Sequence, residues 1–272
     1  MTTNKKLAII GTGNIGASIA DGLLDSGTIL VKDLILTRRR LHRLEKYKAM
    51  GIQTTADNLE AIQAANTIII SVEPQQIDEL LAEIGPALDQ KRHTLISVVT
   101  GVSIEQILKG VNKEISVVRA MPNTAISLRE SITCLACSGE DKTALELGKS
   151  IFDTVGETVI IEEELMGSAT ALGACGIAFF LRAIRAASQG GIEIGFNSEK
   201  ALLIAAQVAK GAASLILERN QHPESEIDKV TTPRGVTIAG LNQMEHEGFS
   251  SAMIKGIVTS AEKAQGLYKT EN

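Results

Sequence analysis

Aromatic residues and cysteine are both scarce in this chain. Tryptophan is absent, and Tyr and Phe together make up 3% of 272 residues. The C-terminal half, poor in rings and rich in Ala and Gly, must therefore pack through close helix approach. Only three cysteines are present, at 134, 137 and 175. Cys134 and Cys137 have redox-motif spacing, but they lie in Ser131-Ile132-Thr133-Cys134-Leu135-Ala136-Cys137, which reads as a strand. No second pair or nearby His completes a zinc site. The four histidines, His42, His93, His222 and His246, show no ligand spacing, so no metal is expected. Basic excess is also missing: the net charge is −5 and pI about 5.5, which excludes an electrostatic footprint for nucleic acid. Lys5 and Lys6 run straight into the first strand, so no leader segment is expected. The longest uncharged stretch, Leu165 to Leu181, is broken by Gly167, Ser168, Thr170, Gly173 and Gly176, which favours a packed helix pair over a membrane span. No internal repeat is visible. These absences together lead to the expectation of a soluble, cytoplasmic protein with no membrane or nucleic-acid partner.

The N-terminal half alternates strands and helices. Leu7 to Ile10 is an apolar run of strand length, followed by Gly11-Thr12-Gly13-Asn14-Ile15-Gly16 and then by helical spacing from Ala17 to Leu24. Strand, Gly-x-Gly-x-x-Gly and helix, in that order, is what a dinucleotide site requires. Gly11 makes the tight turn, Gly13 leaves room for a pyrophosphate, and Gly16 lets strand and helix approach. The helix start at Asn14 and Ile15 offers N–H groups and positive potential to phosphate. A second strand, Asp33 to Leu36, ends in Thr37-Arg38-Arg39-Arg40. A carboxylate at that tip would hold a ribose 2′-hydroxyl, whereas Arg38 and Arg39 suit a 2′-phosphate, so NADPH is expected, with NADH possible. Further strands are expected at Thr67–Val72, Thr94–Val99 and Ile115–Ala120. Val72-Glu73-Pro74-Gln75 and Arg119-Ala120-Met121-Pro122-Asn123 fall at the carboxyl ends of two of them, where doubly wound sheets bind ligands.

After Val159-Ile160-Ile161 the strand patterns stop. Ala169–Ser188, Ser198–Glu218 and Phe249–Leu267 read as helices, with Ser198 as a candidate N-cap. The fold expected is α/β: a Rossmann-type doubly wound sheet over residues 1–161, followed by an all-helical domain over 162–272. Near the C-terminus, Thr231-Thr232-Pro233-Arg234-Gly235-Val236-Thr237 sets a Pro-x-Gly turn before a helix whose free N–H groups suit a carboxylate.

That last run resembles the signature of pyrroline-5-carboxylate reductases, and further motifs follow in the family's order. Arg119 to Thr124 is intact, Val72-Glu73-Pro74-Gln75 carries Glu73 where the family has Lys, and Asp57-Asn58 matches a family pair. Ala171 to Ala178 keeps Gly176 and Ala178 but replaces four family residues, at Gly173, Ala174, Cys175 and Ile177. The resemblance implies reduction of Δ1-pyrroline-5-carboxylate to L-proline by NADPH, in a homodimer or larger homo-oligomer built by the C-terminal helices. It places Asn58 near the adenosine, and Val72, Pro74, Ala120, Met121, Pro122 and Asn123 at the cofactor. Thr232, Gly235, Val236 and Thr237 would hold the substrate, with Thr237 hydrogen-bonded to the ring nitrogen. Thr237 also reads as a helix N-cap. Two other readings stay open on these residues. One is a two-domain reductase of hydroxy acids, against which stands the lack of Lys or His on Ala169–Ser188. The other is a non-catalytic NADPH-binding relative, kept open by Arg234 where the family has Gly.

Overall fold

Short aliphatic runs build the centre of a sheet because both of its faces are covered. The computed structural model describes residues 6–139 and 141–267, apart from the side chains of 265–267. The first half runs β1 (Leu7–Ile10), α1 (Asn14–Asp25), β2 (Leu34–Thr37), α2 (Glu45–Ala49), β3 (Gln53–Thr55) and α3 (Asn58–Ala64). It continues through β4 (Thr67–Ile70), α4 (Ile77–Ile84), β5 (Thr94–Ser97), α5 (Ile104–Val111) and β6 (Ser116–Met121). Then come β7 (Ser131–Cys137), α6 (Lys142–Phe152) and β8 (Gly156–Ile160). The strand order is β3-β2-β1-β4-β5-β6-β7-β8, with every neighbouring pair parallel except β6 and β7. The winding reverses between β1 and β4, which places a crevice at their carboxyl ends.

Strand alternation sends Leu7, Ile9, Leu36 and Ile69 to one face, against Ile19, Leu23 and Phe152 of α1 and α6. Ala8, Ile10, Ile35 and Ile70 go to the other, against Ile62, Leu81 and Ile107 of α3, α4 and α5. Two buried faces explain why these strands read as unbroken apolar runs rather than alternating ones. Burial of each such Ile or Leu contributes about 1.5–3 kcal/mol relative to exposure.

Beyond β8 no strand occurs among the described residues. A 3-10 turn, Glu163–Leu165, leads into α7 (Met166–Ala169), a π-helical segment Thr170–Cys175, and α8 (Gly176–Glu193). There follow α9 (Ser198–Arg219), α10 (Pro223–Val230), α11 (Val236–His246) and α12 (Phe249–Leu267). The sheet-to-helix change at Ile161 and the division into compact units do not coincide. By contacts, one unit extends to Cys175 and takes in the residues from Ser260 onward, and the other spans Gly176–Thr259.

Within the second unit α8 and α9 pack closely: a Cβ at Gly191 would lie 3.1 Å from that of Ala201. Their other surfaces remain open, with Phe180 63%, Leu203 69% and Val208 66% exposed. The helical runs Glu163–Glu193 and Ser198–Arg219 each contain an 18-residue window of mean hydropathy 1.5, long and apolar enough to cross a membrane by length and composition. The expected N-cap at Ser198 shifts by one residue. Asn197 caps α9 by accepting the Lys200 N–H, and Ser198 is the first helical residue. Helix α10, a polar segment without an apolar stripe, escaped the sequence reading; Pro223 opens it behind His222, whose Nδ1 accepts the Glu224 N–H. Cys134 and Cys137 pack into different clusters on β7, and burial raises both thiol pKa values. They are not a facing pair.

Candidate active site

The glycine turn sits at the β1–β4 crevice, and its geometry accounts for each glycine differently. Gly11 has φ 85°, and a Cβ there would meet Ser71 O and Val72 Cγ1, each at 2.7 Å. At Gly16 a Cβ would press on Ile9 Cγ2 at 3.0 Å and Gly11 O at 3.1 Å. Gly13 is open, with Gly11 O at 3.9 Å from the same construction, and it serves as N-cap of α1 without a side-chain cap bond. The N–H groups of Asn14 and Ile15 are thus left at an uncapped helix start with no acidic residue in the first turn. An anion is the natural partner for such a terminus.

The tip of β2 is stitched to this turn. Buried Thr37 receives the Gly11 N–H on Oγ1 (3.4 Å) and the Thr12 N–H on its carbonyl (2.9 Å). Its hydroxyl donates to Asn58 Oδ1 at 2.9 Å, and Asn58 Nδ2 donates to Glu83 at 3.2 Å. Arg38, half-buried, donates from Nη1 to Thr12 O at 2.8 Å, whereas Arg39 is exposed. Arg38 therefore braces the turn as well as facing solvent. Thr37 and Thr12 escaped the sequence reading; a hydroxyl closing an apolar strand beside a glycine turn was the available signal.

Val72 is half-buried beside Gly11, and Pro74 is exposed at the start of a short 3-10 turn. Ala120, Met121, Pro122 and Asn123 are all buried. Ala120 joins the core on the α1 side and Met121 packs with Ala136 and Met166. The Asn123 amide is used at both ends, donating to Gly173 O (3.1 Å) and accepting the Ala125 N–H (3.0 Å). The side chains of Met121 and Asn123 are thus directed into the protein, which leaves the backbone of this stretch as its accessible part.

In the second unit, the Gly235 N–H donates to Thr232 O at 2.9 Å, closing the Pro233 turn. A Cβ on Gly235 would lie 2.5 Å from Thr232 Oγ1, so close approach requires glycine there. Arg234 takes φ 61°, the left-handed region. Gly235 is the N-cap of α11, with no side-chain cap bond. Two expectations change: the Gly235 N–H is spent inside the turn, and Thr237, second in the helix, is not its N-cap. Val236 and Thr237 remain at an uncapped terminus, with Val236 92% exposed, Thr237 half-buried and Thr232 exposed.

Two protein-family models match. Residues 163–267 match pyrroline-5-carboxylate reductase dimerisation, and 6–101 match NADP oxidoreductase, coenzyme F420-dependent. Pyrroline-5-carboxylate reductase 2 of Dictyostelium discoideum is 49% identical over 97% of this chain and 93% of its own length. The chain belongs to the pyrroline-5-carboxylate reductase family. Reductase 1 of the same organism is 52% identical over 96% of this chain, which spans half the length of that relative. Among solved structures, a pyrroline-5-carboxylate reductase from Coxiella burnetii superposes with TM-score 0.93, at 29% identity, covering 98% of this chain and all of that one. A Rossmann-like sheet followed by a helical dimerisation region is thus shared with the family.

Proposed function

We propose that this chain reduces Δ1-pyrroline-5-carboxylate to L-proline, drawing hydride from NADPH in preference to NADH. The observation that carries the reading is the glycine turn at the β1–β4 crevice, in a chain belonging to this reductase family. The residues present fit a dinucleotide: Gly11 cannot accept a Cβ, the α1 terminus is uncapped, and two guanidinium groups stand at the β2 tip. Gly11, Gly13, Asn14, Ile15 and Gly16 would hold the pyrophosphate, and Arg38 and Arg39 the 2′-phosphate. Asn58 would lie by the adenosine, with Val72, Pro74 and the backbone of Ala120–Asn123 along the remainder.

When bound, the cofactor supplies the hydride that reduces the imine carbon, and a proton from solvent completes the secondary amine. The protein's own contribution is binding, alignment and one hydrogen bond. The N–H groups of Val236 and Thr237 and the Thr232 hydroxyl receive the substrate carboxylate, at a terminus whose dipole favours an anion. Thr237 Oγ donates to the ring nitrogen as electron density builds there. Holding two reactants aligned can itself lower the barrier by several kcal/mol, so no conspicuous acid–base pair is required.

The same reading includes a homodimer or higher homo-oligomer formed through residues 163–267, whose exposed apolar helix surfaces need a partner, and a cytoplasmic location. A purified-protein assay following cofactor oxidation with Δ1-pyrroline-5-carboxylate tests the activity. Imine-dependent oxidation, faster with NADPH at low cofactor concentration, is expected. NADPH binding without turnover would favour the non-catalytic reading, and turnover of a hydroxy acid instead would favour the rival reductase.

A further inference from the structure

Three alternate residues at the end of β6 each hold the same distant segment. Arg119 Nη1 donates to Glu163 Oε1 at 3.0 Å, with the Arg119 side chain 4% exposed and that of Glu163 30%. The same Glu163 oxygen accepts the Ile104 N–H at 2.7 Å, so it also fastens the first residue of α5. Two residues on, Met121 shares a small buried cluster with Ala136 and with Met166 of α7. Two further on, the Asn123 side-chain amide donates to Gly173 O inside the π-helical segment, while its Oδ1 is held by the Ala125 N–H. Residues 119 and 121 share one side of β6 by the two-residue strand period, and Asn123 follows in extended backbone just past the strand. The stretch from Glu163 to Gly173 is therefore pinned at its start, middle and end to one strand tip. A π-helical turn is a rare conformation that needs such support, and it recurs at functional sites.

The geometry points to Arg119, Met121 and Asn123 as positioning residues: they seat the 163–175 segment on the β6 tip and act on the reaction through that segment, not by touching the cofactor. This rests on the reading of the β6 carboxyl end as part of the cofactor site. Arg119 is buried and Glu163 partly buried, so removing the carboxylate alone leaves the Arg119 charge without this partner, whereas replacing both members removes the charge as well. The pair variant Arg119→Met with Glu163→Gln retains an oxygen for the Ile104 N–H. Asn123→Asp retains the acceptor for Ala125 but turns a carboxylate toward Gly173 O.

Amide hydrogen exchange of residues 163–175, which reports local opening independently of activity, is measured with steady-state kinetics and NADPH binding by fluorescence. Both variants are expected to speed exchange in 166–175 tenfold or more and leave β1 to β4 unchanged. They should lower kcat for imine reduction about tenfold and alter the NADPH Kd less than threefold. An Asn123→Asp protein with parental exchange but a tenfold weaker NADPH Kd overturns the inference, since Asn123 would then touch the cofactor directly. Faster exchange with parental kcat overturns it too, leaving the seat a stability device only. If one variant fails to fold, the other is read alone, and parental exchange there overturns the proposal. Should the parent bind NADPH yet reduce no imine, the proposed reaction fails while the exchange result still decides the seat.

Discussion

At residue scale, Thr237 and the two arginines carry the sharpest tests. Thr237 is second in α11, behind the Gly235 N-cap, so a capping role no longer competes with a catalytic one. Thr237→Ala is therefore expected to leave the thermal midpoint nearly unchanged and to lower kcat and kcat/KM together. A neutral hydrogen bond contributes about 0.5–1.5 kcal/mol, a loss of roughly twofold to tenfold, and one to a charged group about 1.5–3, a loss of roughly tenfold to a hundredfold. Unchanged turnover removes Thr237 from the mechanism. The arginines should separate. Because Arg38 also braces Thr12 O, Arg38→Ala should weaken NADPH and NADH alike through the turn, with an added loss for NADPH. Exposed Arg39 has no such brace, so Arg39→Ala should raise the NADPH KM selectively, by about 1.5–3 kcal/mol if the contact is charge-assisted. Equal effects of Arg39→Ala on both cofactors would remove it from 2′-phosphate recognition.

At the scale of elements, the Pro233 turn trades strain for a side chain. A non-glycine residue in the left-handed region costs about 1–2 kcal/mol, and Arg234 sits there at φ 61°. Arg234→Gly should raise the thermal midpoint, while Arg234→Ala should not, since alanine meets the same strain; calorimetry of the two separates them. The glycine turn and the strand–helix alternation were legible because hydrophobic period and Gly spacing are local properties. The seat on β6 was not. Arg119 and Glu163 are 44 positions apart, and nothing in either neighbourhood announces that one sheet tip brings them within hydrogen-bond distance. The bond of the Asn123 amide was hidden for the same reason: its partner, Gly173, is 50 residues away.

At the scale of the whole molecule, assembly and acid stability are the open measurements. The exposed apolar side chains of α8 and α9 form a surface that a monomer rarely leaves bare. Light scattering at micromolar concentration should find a dimer or larger multiple, and an active monodisperse monomer removes that reading. His93 is 3% exposed and accepts the Asp89 N–H on Nδ1 at 2.8 Å. Burial foremost, and then the neighbouring Arg92 charge, lower its pKa below the ordinary 6.5. Above about pH 6.5 it is neutral in folded and unfolded chains and contributes no pH dependence. As pH falls below that value the unfolded chain takes up the proton first, so stability is lost on the way down to the folded-state pKa. His93→Asn, which keeps an acceptor for Asp89, should flatten the fall in thermal midpoint as pH drops below about 6.5; an unaltered slope assigns the loss to other groups.

Sequence alone determined the Rossmann-type sheet, the change to helices after Ile161, the glycine cradle and the family, because each is written in contiguous spacing. Tertiary structure decided which groups are free to act. It spent the Gly235 N–H inside a turn, moved the α11 cap from Thr237 to Gly235, turned Arg38 toward the Thr12 carbonyl and drew Asn123 onto Gly173. A donor's availability depends on what the folded chain brings within about 3 Å of it, and no local pattern records that distance.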